Sequence, residues 1–170
     1  MTNAVNSRRG LAGGVLWALL LSGTVLTVAQ ARPSFSGNWV LVKEEGQFSG
    51  RGAAAEGPST LSCGNACTIR QSPSTLVVER SYGKEQFVTT VNLDGSETTS
   101  SNQMGGVPID VSARASWDGS RLVVTTKSNP SQNPVTVRLT LVSDQLVTET
   151  ERLIGPAREL RKATRTYKRR

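Results

Sequence analysis

The chain has 170 residues, with 20 Lys and Arg against 13 Asp and Glu, and no histidine. The missing histidine removes the commonest general base, the commonest zinc ligand and every Ser-His or Cys-His dyad. The formal charge of +7 is uneven: seven bases lie from Arg158 onward against Glu159 alone, while 32–157 is nearly neutral, which excludes a global nucleic-acid-binding character.

Residues 1–31 read as an export signal. Arg8-Arg9 form a basic head, Leu11 to Val28 an apolar run, and Ala29-Gln30-Ala31 a small-x-small cleavage site. Ser7-Arg8-Arg9-Gly10-Leu11 partly resembles a twin-arginine signal, and the general secretory route fits equally. Cleavage after Ala31 leaves residues 32–170 as one periplasmic or secreted domain with no transmembrane segment. No cysteine stands immediately after the cleavage site to carry a lipid.

Phe35 to Lys43 reads as a first strand, with Phe35, Trp39 and Leu41 on one face. Residues 46–62 are rich in Gly, Ala and Ser and read as a long loop. Cys63 and Cys67 follow. In an exported chain they are expected to pair as a structural disulfide, worth about 2 kcal/mol for so short a loop. A redox motif would favour a two-residue spacer, and a metal site would need further soft ligands.

From Thr68 the chain becomes a run of short strands separated by turn pairs: Pro73-Ser74, Gly83-Lys84, Asp94-Gly95, Gly105-Gly106 and Ser143-Asp144. The clearest hairpin is central. Val107, Ile109, Val111, Ala113, Ala115 and Trp117 alternate with polar residues, and Asp118-Gly119 is expected to turn the chain, setting Ala115 opposite Leu122 and Ala113 opposite Val124. Val135 to Leu141 alternates again, and Leu160 to Lys168 forms the last strand. About ten short strands at even spacing imply an all-β antiparallel meander closing into a barrel.

Carrying the inward register through the turns predicts the lining. Ile69, Gln71, Leu76, Val78 and Arg80 face in, then Phe87, Thr89, Val91 and Leu93. Thr98, Ser100, Asn102 and Met104 follow, and after the central strand come Leu122, Val124 and Thr126. The polar and small members point to a lined interior holding a small ligand. The candidate ligand residues are Arg80, Phe87, Thr89, Ser100, Asn102, Ala113 and Ala115. Arg80 could clamp a carboxylate or phosphate, sit at the rim and reach water, or stack on an aromatic such as Phe87. Glu149 and Glu151 stand two apart as an acid/base pair would, but the Ser143-Asp144 turn sends both outward. No catalytic residue, metal site or cofactor motif is expected. The basic residues of 158–170 could meet an anionic surface or protect an edge strand. Tyr167 alone interrupts them, too little aromatic surface for base stacking.

Gly37-x-Trp39 on the first strand, followed by a meander of hairpins, resembles the lipocalin-like (calycin) barrels, and in particular small exported bacterial proteins of that type. The resemblance implies a barrel floor closed by Gly37 and Trp39, with an arginine of the last strand, Arg165 or Arg161, packed over the tryptophan. It implies an exported, non-catalytic barrel holding an apolar or amphipathic small molecule. The alternative is a filled barrel acting as an envelope or interaction module through its basic C-terminal segment.

Overall fold

A computed structural model describes residues 32–46, 61–129, 133–154 and 157–170, apart from the side chains of Tyr82 and Ile154. The expected export signal and most of the expected 46–62 loop lie outside these residues. Ten antiparallel strands are present: β1 (Gly37–Gly46), β2 (Ala66–Gln71), β3 (Thr75–Tyr82), β4 (Glu85–Asn92), β5 (Thr98–Met104), β6 (Val107–Asp118), β7 (Arg121–Ser128), β8 (Val135–Val142), β9 (Gln145–Ile154) and β10 (Glu159–Arg169). Their order is β4-β3-β2-β1-β10-β9-β8-β7-β6-β5, so the ends of the chain meet inside the sheet and β4 and β5 are its edges. This is the nearly closed all-β barrel that the hairpin spacing implied.

Alternation decides what faces in. Along β6, Val111, Ala113 and Ala115 are buried while Arg114 and Ser116 are exposed. Along β8 and β9, Val137, Leu139, Leu146, Thr148 and Thr150 are buried and Glu149 is exposed. One continuous core joins Phe35, Trp39, Ile69, Leu76, Val91, Leu122, Val124, Leu139 and Tyr167 across all sides of the ring. Burying that much apolar surface is the main stabilising term of the fold.

Two turns depart from expectation. In the central hairpin Asp118 pairs with Arg121, so Ala115 faces Val124 and Ala113 faces Thr126. The loop is Gly119-Ser120 with φ of 60° at Gly119, and the turn has glycine first, as type II′ requires. Every partner moves by two residues, which leaves the inward set unchanged. At Asp94-Gly95, by contrast, no ladder forms among the described residues: β4 ends at Asn92 and β5 starts at Thr98 without pairing to it. The Asp94 carboxylate instead accepts hydrogen bonds from the Ser96 amide (2.9 Å) and hydroxyl (2.7 Å).

A third feature is a bulge in β1. Leu41 pairs with Tyr167 but Lys43 with Thr166, leaving Val42 as the extra residue. The bulge inverts the alternation, so Glu44, paired with Arg165, turns inward. The strand ends at Gly46, where φ is 109° and a Cβ would lie 2.6 Å from the Lys162 carbonyl oxygen. Only glycine fits there.

Candidate functional site

The barrel interior has two chemically different ends. At the end carrying the β6–β7 and β8–β9 turns, aromatic rings close the bore. Phe35 stacks on Trp117 with centroids 6.0 Å apart, and the Trp39 indole N–H donates to the Phe35 carbonyl at 2.9 Å. Gln71 ties the segment before β1 to the barrel: its Oε1 accepts the Phe35 amide (2.9 Å) and its Nε2 donates to the Pro33 carbonyl (3.1 Å). Guanidinium groups cover both indoles, Arg32 at 5.2 Å from the Trp117 ring and Arg169 at 5.0 Å from the Trp39 ring.

The arginine over Trp39 is therefore Arg169, not Arg165 or Arg161. The register explains the difference, because Arg169 is the cross-strand partner of Trp39. Gly37 leaves room for it, since a Cβ there would lie 3.1 Å from the Arg169 Nε. Arg165 serves elsewhere. It is 1% exposed, donating from Nε and Nη2 to Glu44 Oε1 (3.0 and 2.6 Å) and from Nη1 to the Ser62 hydroxyl (3.0 Å). Glu44 and Ser62 escaped the sequence reading because the bulge that turns Glu44 inward has no local signature. The Cys63–Cys67 disulfide lies beside Ser62, as the spacing implied, with both cysteines buried.

Towards the end carrying the β3–β4, β5–β6 and β9–β10 turns, the buried inward residues become polar: Arg80, Thr89, Asn102, Thr126, Ser128 and Thr150. Arg80 is 5% exposed and its guanidinium lies 5.4 Å from the centroid of Phe87, its cross-strand partner. Of the alternatives for Arg80, the stacking on Phe87 is present, with the side chain buried. Thr89 follows Phe87 on the same face of β4.

Ser100 and Asn102 do more than line the interior. The Val88 amide donates to Asn102 Oδ1 at 2.8 Å and the Thr90 amide to the Ser100 hydroxyl at 3.0 Å. The Thr98 hydroxyl donates to the Thr90 carbonyl at 2.6 Å, and Glu85 Oε1 accepts the Gly105 amide at 2.6 Å. These side chains stitch the two strand edges that no ladder joins. The Asn102 Nδ2 is left buried without a hydrogen-bond partner among the described residues.

The structure thus brings Arg80, Phe87, Thr89, Ser100 and Asn102 together on the adjoining strands β3, β4 and β5. Ala113 and Ala115, equally buried, lie on β6 within the apolar core, paired across to Thr126 and Val124.

Glu151 faces outward between Arg138 (2.9 Å) and Lys162 (2.7 Å), and the hydrogen bonds from Lys162 and then Arg138 hold its carboxyl below the usual glutamate range. Glu149 stays exposed, so the two form no acid/base pair. The basic run of 158–170 is divided by strand alternation. Arg165 points inward, Arg161 pairs with Glu159, Lys162 with Glu151, and Arg169 lies on Trp39, so the run forms no continuous basic face. A cleft of ≈ 460 Å³ crosses β1 to β4, lined by Asn38, Trp39, Thr68, Arg80, Ser81 and Gln86; in it Thr68 bonds Asn38 and Gln86 bonds Ser81.

No protein-family model matches the sequence, and no curated protein sequence matches it. Solved structures do. An abundant heat soluble (SAHS) protein of Ramazzottius varieornatus aligns with a TM-score of 0.57 at 15% identity, over 84% of this chain and 99% of that one. Human cRBP IV aligns at 0.56 and 16% identity, over 81% and 99%. REP1-NXSQ fatty acid transporter aligns at 0.54 and 12% identity, over 79% and 95%. At such identities the likeness establishes a shared barrel fold.

Proposed function

We propose that the protein is an exported, non-catalytic binding barrel that holds one small amphipathic molecule in the polar half of its interior. The observation that carries this reading is the division of the bore. Phe35, Trp39 and Trp117 close one end with apolar surface, and Arg80, Thr89 and Asn102 supply polar groups toward the other. A molecule with an apolar portion and an oxygen-bearing head matches that gradient, because each part meets its own kind of surface.

Arg80 over Phe87 gives the site a buried cation on a flat aromatic floor, suited to an electron-rich head group. Among the neighbours, one is named as a fatty acid transporter and another as cRBP IV, which agrees with a carrier of this kind. The absence of histidine and the outward Glu151 argue against a hydrolase or isomerase. The disulfide and the basic-apolar N-terminus agree with an oxidising destination outside the cytoplasm.

The test is native mass spectrometry of protein purified from its own host, followed by exposure of the stripped chain to a panel of lipids and metabolites. The expected result is one bound molecule per chain, exchangeable by members of the panel. A bare polypeptide mass with no uptake from the panel would refute the reading.

A further inference from the structure

We propose that Asn102 reads the head group of the bound molecule: its carboxamide N–H donates to a carbonyl or carboxylate oxygen, so the barrel selects amphiphiles that carry one. The inference rests on the binding-barrel reading above and adds the group that is recognised and the residue that recognises it.

The orientation of this side chain follows from its seam bond. The Val88 N–H is a donor, and Asn102 meets it at 2.8 Å. Only the amide oxygen can stand there, since the flipped amide would set NH2 against N–H. The seam therefore fixes Nδ2 as the end left over. Asn102 is 7% exposed, and this nitrogen is buried with no hydrogen-bond partner among the described residues.

A buried donor without an acceptor is costly, and native proteins seldom keep one without a role. The neighbours indicate which acceptor suits it. Val88 lies between Phe87 and Thr89 on β4, and the Arg80 guanidinium lies 5.4 Å from the Phe87 ring centroid. A positive charge therefore stands on the strands next to the buried N–H. An oxygen carrying partial or full negative charge suits the N–H and is favoured by that charge.

The substitution that isolates the idea is Asn102→Asp. The carboxylate still accepts the Val88 N–H and keeps the seam, but it has no N–H to offer. The probes are cis-parinaric acid, its methyl ester, and the polyene hydrocarbon of the same chain length, each followed by its fluorescence on binding the full exported chain. We expect N102D to bind the acid and the ester about tenfold more weakly, with the hydrocarbon unchanged. The ester is uncharged, so its loss reports the missing donor and not repulsion by the new carboxylate.

Glu85→Ala is the control. It removes the seam bond from the Gly105 amide without touching Asn102, and all three affinities should hold. Equal binding of the ester by wild type and N102D overturns the assignment of Asn102, as does an equal loss in E85A. The wild-type chain must also prefer ester to hydrocarbon by about tenfold, a measurement that needs no variant and whose failure overturns the proposal even if N102D does not fold. If the wild type takes up none of the three, the binding-barrel reading itself falls.

Discussion

The ring is closed in two places by opposite means. Where the ends of the chain meet, β1 and β10 share seven paired residues, backed by Trp39, Tyr167 and the buried Arg165–Glu44 pair. Where neighbours in sequence meet, β4 and β5 share no ladder among the described residues, and hydrogen bonds between side chains and backbone hold the join. The apolar backing differs as well. Of the inward residues of β5 (Thr98, Ser100, Asn102 and Met104) only Asn102 is buried. Closeness along the chain thus does not decide which join is strong. Buried side chains do, and the weaker join is the one that carries the proposed recognition residue.

The contrast is sharpened most by removing the acid of the strong join. Glu44→Ala removes the carboxylate that takes two of the Arg165 nitrogens while the guanidinium stays buried, and should cost about 3–5 kcal/mol in urea unfolding. Replacing both partners, Glu44→Leu with Arg165→Met, should recover most of that loss, because an apolar pair carries no desolvation penalty. Ser100→Ala at the weak join should cost only about 1 kcal/mol. If Glu44→Ala costs no more than Ser100→Ala, the two joins are energetically alike and the comparison is wrong.

The strong join was also the harder one to foresee. The inward residues from Ile69 to Thr126 agree with strand parity, which passes unchanged through the two-residue turns and even through the altered turn at Gly119; across Asp94-Gly95, where no ladder forms, the agreement does not come from pairing. A bulge breaks parity, and nothing in Leu41-Val42-Lys43 marks one, so Glu44 and the arginine it neutralises could not be paired in advance. The resemblance to calycin barrels placed an arginine over Trp39 correctly but not which one. That choice depends on a register between chain ends, which local turn chemistry does not specify. The seam was half legible: Asp94-Gly95 marked a turn and Ser100 and Asn102 faced in as expected. That they bond to the β4 backbone depends on the two strands splaying apart, which is a property of the whole ring.

A second way to test the comparison is amide hydrogen exchange. The Val88 and Thr90 amides depend on single side-chain acceptors at a sheet edge, whereas β10 is flanked by ladders to both β1 and β9. Local opening at the seam should let the two amides exchange about 100-fold faster than the central amides of β10, measured on the intact chain. Comparable protection would mean that β4 and β5 open only with the whole barrel. Saturation with a bound ligand should slow Val88 more than β10, since the proposed contact at Asn102 acts on the same bond.

The smallest expected effect is the response to acid, and it too divides the molecule. On the strong side Glu151 bridges Arg138 of β8 and Lys162 of β10, and those hydrogen bonds lower its pKa. A carboxyl whose folded pKa is depressed contributes stability that is full above the ordinary glutamate value and disappears as the pH falls through the lowered one. Acidification through that window should therefore loosen the β8–β9–β10 wall, and Glu151→Gln should remove that part of the pH dependence at a cost of about 0.5 kcal/mol near neutrality. On the weak side Asp94, also lowered, chiefly by its hydrogen bond from the Ser96 hydroxyl, is fully exposed at the turn between β4 and β5. Its protonation frees that turn but leaves the Asn102 and Ser100 bonds untouched, because neither contains a titrating group. Unfolding curves recorded down the acid range should accordingly steepen through Glu151, while exchange at Val88 and Thr90, corrected for the intrinsic effect of pH, stays level. A seam that loosened in step with the β8–β9–β10 wall would mean that the two joins share one opening event.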